Sequence, residues 1–241
     1  MKKSTFYAVS TGPGKGELLT LEAIRSLNEC EIIFYPESKK NSVALSSILE
    51  TKRIDFSKKE LIPCKFSMSG ESGKTSSEYE KIILECESFL REGKSVAMLS
   101  IGDVSLYSSA ARTGRLIQAQ GFDVKFIAGV NSFSQAACAA NLSLCERDEK
   151  LSVIPADSFY EKGKLKAELT GSGTKILMKA GKHLKKIIAL ISECDLIEKS
   201  FLVQKVSLPD EKIFFGKEML EMSERDFEKA YLSLIIVKSQ D

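Results

Sequence analysis

The sequence has almost no histidine, no paired cysteine motif, no long apolar run and no excess of either charge. Its single histidine, His183, stands in "KAGKHLKKII", where it reads as part of the first turns of a lysine-rich helix. Ser-His-Asp and Cys-His arrangements could draw on this residue alone, which leaves little room for that kind of nucleophilic catalysis. Six cysteines, at 30, 64, 86, 138, 145 and 194, form no C-x-x-C pair. Zinc sites and thioredoxin-like motifs therefore lack their ligand spacing, and the cysteines read as small, reduced, mostly buried residues. No metal site is expected.

No stretch approaches the roughly 18 to 20 apolar residues of a membrane span. The first apolar run, at 6–9, stops at a Gly/Pro loop too early for a signal peptide. A cytoplasmic protein with no membrane partner is expected. Thirty-five Lys and Arg against thirty-three Asp and Glu leave a net charge of +2, with the signs interspersed. No electrostatic footprint for nucleic acid stands out, whereas an acidic small molecule needs only a local basic cluster.

What is present is an alternation of short Val/Ile/Phe-rich runs with longer segments of helical period. Strand-like runs at 5–9, 31–35, 60–64, 95–99 and 123–127 are separated by helical patterns near 20–30, 42–50, 76–92 and 105–120. That alternation predicts a parallel sheet with helices on both faces. Gly93 and Gly121 are expected to stop the third and fourth helices. From about 128 the texture changes. Runs at 151–155, 174–179, 201–206, 212–216 and 232–237 include several with short connections, which favour antiparallel pairing. We therefore expect two α/β domains, 1–127 with a mostly parallel sheet and 128–241 with a mixed one. The Ser/Gly-rich stretch "SMSGESGKTSSE" at 67–78 reads as a flexible loop, either a substrate lid or an idle surface segment.

Three glycine-containing turns follow strands of the first domain. "STGPGKGELLT" at 10–20 is neither a Walker A loop, since Gly14-Lys15 is followed by Gly16, nor a G-x-G-x-x-G fingerprint. Pro13 also removes one backbone N–H that a phosphate cradle would use. The stretch supplies a tight turn at the carboxyl end of the first strand, the edge where open α/β sheets bind ligands. Gly102-Asp103 follow the next such strand, and Asp103 either caps the following helix or holds a ligand. "AGVNS" at 128–132 follows a third. Three such turns on one edge indicate a ligand crevice.

These residues resemble the tetrapyrrole methylases, whose opening pattern is close to G-x-G-P-G-D-x-x-L-L-T and whose later loops centre on G-D-P and P-G-V-x-S. Here Ser10 stands for the first glycine, Lys15 for the aspartate, Val104 and Ala128 for the two later prolines. The resemblance implies two α/β domains with S-adenosylmethionine held in a cleft between them, the first forming a substrate trough and the second contributing to cofactor binding. Cofactor contacts carried over by position fall on Pro13, Ile101, Gly102, Asp103, Leu106, Asn131, Ser132, Lys179 and Ala180. "GDVSLYSS", "IAGVNSFSQAACAANLSL", "ILMKAGKHLKKI" and "YLSLIIV" look most like the branch that methylates C20 of precorrin-2, or of its cobalt-containing counterpart, on the route to cobalamin. A homodimer is also implied.

Such a substrate carries many carboxylates, which call for Arg and Lys around an apolar trough. Lys39, Lys40, Arg112 and Arg115 are the candidates, with Lys179. The macrocycle is itself the nucleophile, so no activated side chain is required, and no catalytic base is assigned. Two other readings stand beside this one: a family member acting on a different acceptor, and a non-catalytic module that binds a nucleotide-like effector.

Overall fold

The computed structural model describes residues 4–37, 42–65, 72–228 and 230–238, with the backbone alone for 72–77. The chain divides into two compact units, Met1–Ser132 and Phe133–Asp241.

The first unit is built on five strands: β1 (Thr5–Ser10), β2 (Ile32–Pro36), β3 (Glu60–Cys64), β4 (Val96–Ser100) and β5 (Asp123–Ile127). Their order is β3-β2-β4-β1-β5, and every pairing is parallel. The period-two alternation of the strands assigns side chains to two faces. Phe6, Ala8, Phe34, Val96 and Met98 pack on one face against α3 (Ser72–Arg91) and α4 (Ser109–Ala119), through Cys86, Leu90, Ala110 and Ile117. Tyr7, Val9, Ile33, Ala97 and Leu99 pack on the other against α1 (Leu21–Glu29) and α2 (Val43–Glu50), through Ala23, Leu27, Ala44 and Ile48. Burying each fully covered Phe or Leu stabilises the unit by about 1.5–3 kcal/mol.

Local signals set the helix ends. Thr20, Ser42 and Ser108 side chains accept the N–H three residues on, capping α1, α2 and α4. Gly93 takes φ +82° and Gly121 φ +88° just past α3 and α4, where a glycine has no Cβ to strain.

The second unit carries β6 (Leu151–Pro155), β7 (Thr174–Met178), β8 (Ser200–Gln204), β9 (Lys212–Phe215) and β10 (Ser233–Val237). The order is β6-β7-β10-β8-β9, with β6 and β7 parallel and the remaining pairs antiparallel. The parallel pair is joined through α6 (Ala156–Glu161) and α7 (Leu165–Thr170), a connection long enough for a crossover. Those helices and α8 (Leu184–Glu193) bury Leu165, Leu169, Leu184, Ile187 and Ile191 in one cluster with Leu177, Leu202 and Ile235 of the sheet. The short α5 (Ser132–Ala139) and α9 (Glu224–Glu228) complete the unit boundary and the C-terminal region.

Several expectations change in detail. The stretch expected as a loop at 67–78 is helical from Ser72 onward as part of α3, while 67–71 lies outside the described residues. The fourth helix starts at Ser109 rather than near 105, because 103–107 are held in a turn by the Asp103 carboxylate. Cys30, Cys64 and Cys86 are buried, but Cys138 and Cys145 are exposed. Cys138 lies on the solvent side of α5, whose buried residues are Phe133, Ala136 and Ala137, and Cys145 sits in the connection to β6. His183 is the residue before α8 rather than within it.

Candidate functional site

Strands β4, β1 and β5 are neighbours and parallel, so the loops that leave their carboxyl ends emerge side by side. The first two loops are stitched by an isolated antiparallel bridge between Gly12 and Gly102. The Gly102 N–H donates to Gly12 O at 2.8 Å, and the Gly12 N–H donates to Gly102 O at 3.2 Å. Both residues have positive φ, +67° and +75°, which explains why glycine is needed there. Thr11 reinforces the stitch, donating from N–H and Oγ1 to Ser100 O at 2.8 and 3.1 Å.

The third loop is fastened by side chains. Ser10, buried at the end of β1, donates from Oγ to Ile127 O at 2.6 Å and accepts the Val104 N–H at 2.8 Å. Asp103 Oδ2 accepts the Gly129 N–H at 2.7 Å, and Oδ1 accepts from the Ser105 N–H at 2.8 Å and from Ser105 Oγ. A Cβ on Gly129 would lie 2.3 Å from Ser10 Cβ and 3.0 Å from Gly102 O. Glycine is required at 129 by contact, not by dihedral.

Asp103 is 9% exposed. Burial pushes its carboxyl up, but the hydrogen bonds from Ser105 Oγ and from the Gly129 and Ser105 N–H groups outweigh burial and hold it below the ordinary aspartate value. It is a carboxylate at neutral pH, with both oxygens engaged by the loops it joins.

In the second unit, Lys179 and Ala180 follow β7. Lys179 takes φ +53° and is exposed, whereas Ala180 is buried. Asp157, at the start of α6, grips this turn at both ends. Its N–H donates to Lys179 O at 3.1 Å, and its carboxylate accepts the N–H groups of Lys182 and His183 at 3.0 and 2.9 Å. The two peptide groups that lead into α8, at Lys182 and His183, are thus held by a remote aspartate. Glu161, one turn along α6, accepts from Lys182 Nζ at 2.6 Å and lies 3.0 Å from His183 Nε2.

Of the predicted residues, Pro13, Ile101, Gly102, Asp103, Leu106, Asn131 and Ser132 belong to the three neighbouring loops, and Lys179 and Ala180 to the second unit's turn. Arg112 and Arg115 are exposed on α4, one to two turns from the Ser108 cap that is tied to β4 by its 2.9 Å hydrogen bond to Ser100 Oγ. The Arg112 guanidinium lies 4.4 Å from the centre of the Tyr79 ring on α3, and neither arginine has an ion-pair partner among the described residues. Lys39 and Lys40 lie outside the described residues. Among those residues no group of three His, Cys, Asp or Glu is placed to hold a metal ion. Asp157 and Tyr79 were not singled out by sequence, and Ser10 was read only as the residue standing for the family's first glycine. Only Asp157, an aspartate opening a helix after a strand, carries a local signal.

The sequence model of the Tetrapyrrole (Corrin/Porphyrin) Methylases matches residues 5–219. The chain belongs to that family. This methylase is 30% identical over 234 residues to a probable cobalt-precorrin-2 C(20)-methyltransferase of Methanocaldococcus jannaschii, covering 96% of this chain and 95% of the relative. A cobalt precorrin-4 methyltransferase of cobalamin biosynthesis has the same fold, with a TM-score of 0.74 at 21% identity over 97% of this chain and 94% of the other. So does a uroporphyrin-III C-methyltransferase of Thermus thermophilus solved with S-adenosyl homocysteine, at 0.66 and 18%, covering 98% and 97%.

Methylases of this family take their methyl group from S-adenosylmethionine. The cradle fits such a donor. An added Cβ on Gly102 would meet nothing nearer than Ser132 N at 3.9 Å, so there is free space beside its Cα, and the neighbouring Ile101 is 36% exposed. Free space at a glycine beside a partly exposed apolar side chain suits the apolar body of a ligand.

Proposed function

We propose that this methylase transfers a methyl group from S-adenosylmethionine to C20 of precorrin-2 or of its cobalt-containing counterpart, in cobalamin biosynthesis. The observation that carries the choice of acceptor is the end-to-end similarity to a C(20)-methyltransferase over 96% of the chain. The donor contacts are Pro13, Ile101, Gly102, Asp103, Leu106, Asn131 and Ser132 in the first unit and Lys179 and Ala180 in the second. Ile101 and Leu106 offer apolar surface and Gly102 the space beside its Cα, while Asp103 acts through the loops it fastens. Arg112 and Arg115 of the first unit, with Lys39 and Lys40, bind the carboxylates of the acceptor.

The donor is a sulfonium, whose methyl passes to the electron-rich ring carbon as that carbon's electron pair forms the new bond and sulfur keeps the old pair; the proton that the carbon carried is then released to solvent. The chain's residues need to hold the two reactants in line at near-attack distance and to exclude water, which alone supplies much of the acceleration. A stitched, glycine-lined cradle does this without an activated side chain, in keeping with a chain that has one histidine. We read the enzyme as a cytoplasmic homodimer. No helix among the described residues is long and apolar enough to cross a membrane; the dimer rests on the family resemblance and is checked by light scattering.

The test is an anaerobic assay with S-adenosylmethionine and precorrin-2 or its cobalt complex in parallel, read by mass spectrometry. Gain of one methyl on either, located at C20 by NMR, is expected. Donor binding without methylation of either acceptor would overturn the assignment.

A further inference from the structure

We infer that Ser10 is a positioning residue for the methyl donor, its hydroxyl acting as the tie that sets the spacing of the three cradle loops. This inference rests on the reading of the cradle as the donor site. The family's opening pattern has glycine here, which has no side-chain atom to offer.

Ser10 is 1% exposed, and its Oγ uses both its capacities, donating to Ile127 O at 2.6 Å and accepting from Val104 N at 2.8 Å. The partners lie 117 and 94 positions away. One belongs to the end of β5, the other to the loop after β4 directly beyond Asp103. Ser10 therefore links the same two segments that Asp103 and Gly129 link from the other side. Ser10 Cβ also fills the space that the missing Gly129 side chain leaves, since the two Cβ positions would be 2.3 Å apart.

Only a small hydroxyl serves this geometry. Alanine or glycine would leave the buried Val104 N–H and the Ile127 carbonyl without this partner, and a buried donor left unmade is costly. The loops can recover those bonds only by shifting, which moves Gly102, Asp103 and Gly129 relative to one another. Interactions made only when the cradle is in register are then lost to the donor.

The experiment measures the dissociation constants of S-adenosylmethionine and S-adenosylhomocysteine for the full chain by calorimetry, in wild type, Ser10→Ala, Ser10→Gly and Ile32→Val. Ile32 is buried at the opposite end of β2 and reports the effect of lost core packing alone. Both Ser10 variants are expected to bind the two ligands roughly three- to thirtyfold more weakly, with Ile32→Val unchanged at a temperature well below unfolding. Combining Ser10→Ala with Asp103→Asn should weaken binding by less than the product of the separate effects, because both release the same loop. Affinity within twofold of wild type in either folded Ser10 variant, or a loss matched by Ile32→Val, would overturn the inference. Wild type that binds the donor but methylates neither tetrapyrrole overturns the acceptor assignment and leaves the role of Ser10 standing.

Discussion

Asp103 and Gly129 are joined by a 2.7 Å hydrogen bond from the Gly129 N–H to Oδ2, so a carboxylate on one cradle loop holds the backbone of the next. The same carboxylate folds its own loop through Ser105. An aspartate placed like this contributes to the site by shape, and its removal should be felt first in the donor.

Replacing Asp103 with Asn keeps the size but turns an amide N–H₂ toward at least one of three donors. Stability should fall by about 1–3 kcal/mol, and the donor should bind more weakly. The pH dependence has a definite sign. Because the folded-state pKa is below the ordinary value, the stabilisation is complete above the unfolded-state pKa and is lost as pH falls through the folded one. Urea unfolding of wild type and Asp103→Asn should therefore differ at pH 7 and converge under strongly acidic conditions. A difference that stays constant down to the lowest accessible pH would argue against the carboxylate as the cause.

Gly129→Ala should disrupt the cradle by overpacking, a cost of about 1–3 kcal/mol, since the new Cβ would lie 2.3 Å from Ser10 Cβ and 3.0 Å from Gly102 O. Adding Ser10→Gly removes the nearer obstacle. The double variant should then be more stable than the sum of the single changes, by thermal unfolding. Strict additivity would mean that the two residues do not share this space.

Much of the first unit was legible because a parallel sheet buried on both faces leaves a strong alternation of apolar runs and helical segments. Gly93 and Gly121 added the ends of two of its helices. The ties within the cradle were not legible. Ser10 looks like a departure from a glycine pattern, and its meaning depends on Ile127 and Val104, which no local window brings near it. Asp157 was missed for the same reason, since the turn it holds, at Lys182 and His183, lies 25 and 26 positions away. The exposed Cys138 and Cys145 show the converse error, in which residue type outweighed position on an amphipathic helix and in a loop.

Asp157→Ala should loosen the turn at 179–183. The Lys182 and His183 N–H groups, in the turn that leads into α8, lose their acceptor, at about 0.5–1.5 kcal/mol for each hydrogen bond. Amide exchange at Lys182 and His183 should accelerate, while β1 to β5 stay protected. If Lys179 and Ala180 contact the donor, its affinity falls in parallel. Faster exchange with unchanged affinity would remove those two residues from the donor site.

Arg112 and Tyr79 offer the sharpest test of the acceptor side. The guanidinium, 4.4 Å from the ring centre, is restrained by the ring's negative face while its N–H edge remains available to carboxylates. Losing a charge-assisted bond costs about 1.5–3 kcal/mol, so Arg112→Ala should raise KM for the tetrapyrrole on the order of tenfold or more. The donor's dissociation constant should not move. Tyr79→Leu removes the restraint together with some packing of a buried ring; a cation–π contact to an exposed cation is worth about 0.5–1 kcal/mol, so KM should rise roughly two- to fivefold. Tyr79→Phe keeps the ring and should restore the wild-type value. An unchanged KM in Arg112→Ala would move the carboxylate-binding role to other basic residues, and a rise in Tyr79→Phe equal to that in Tyr79→Leu would assign the effect to the hydroxyl instead of the ring face.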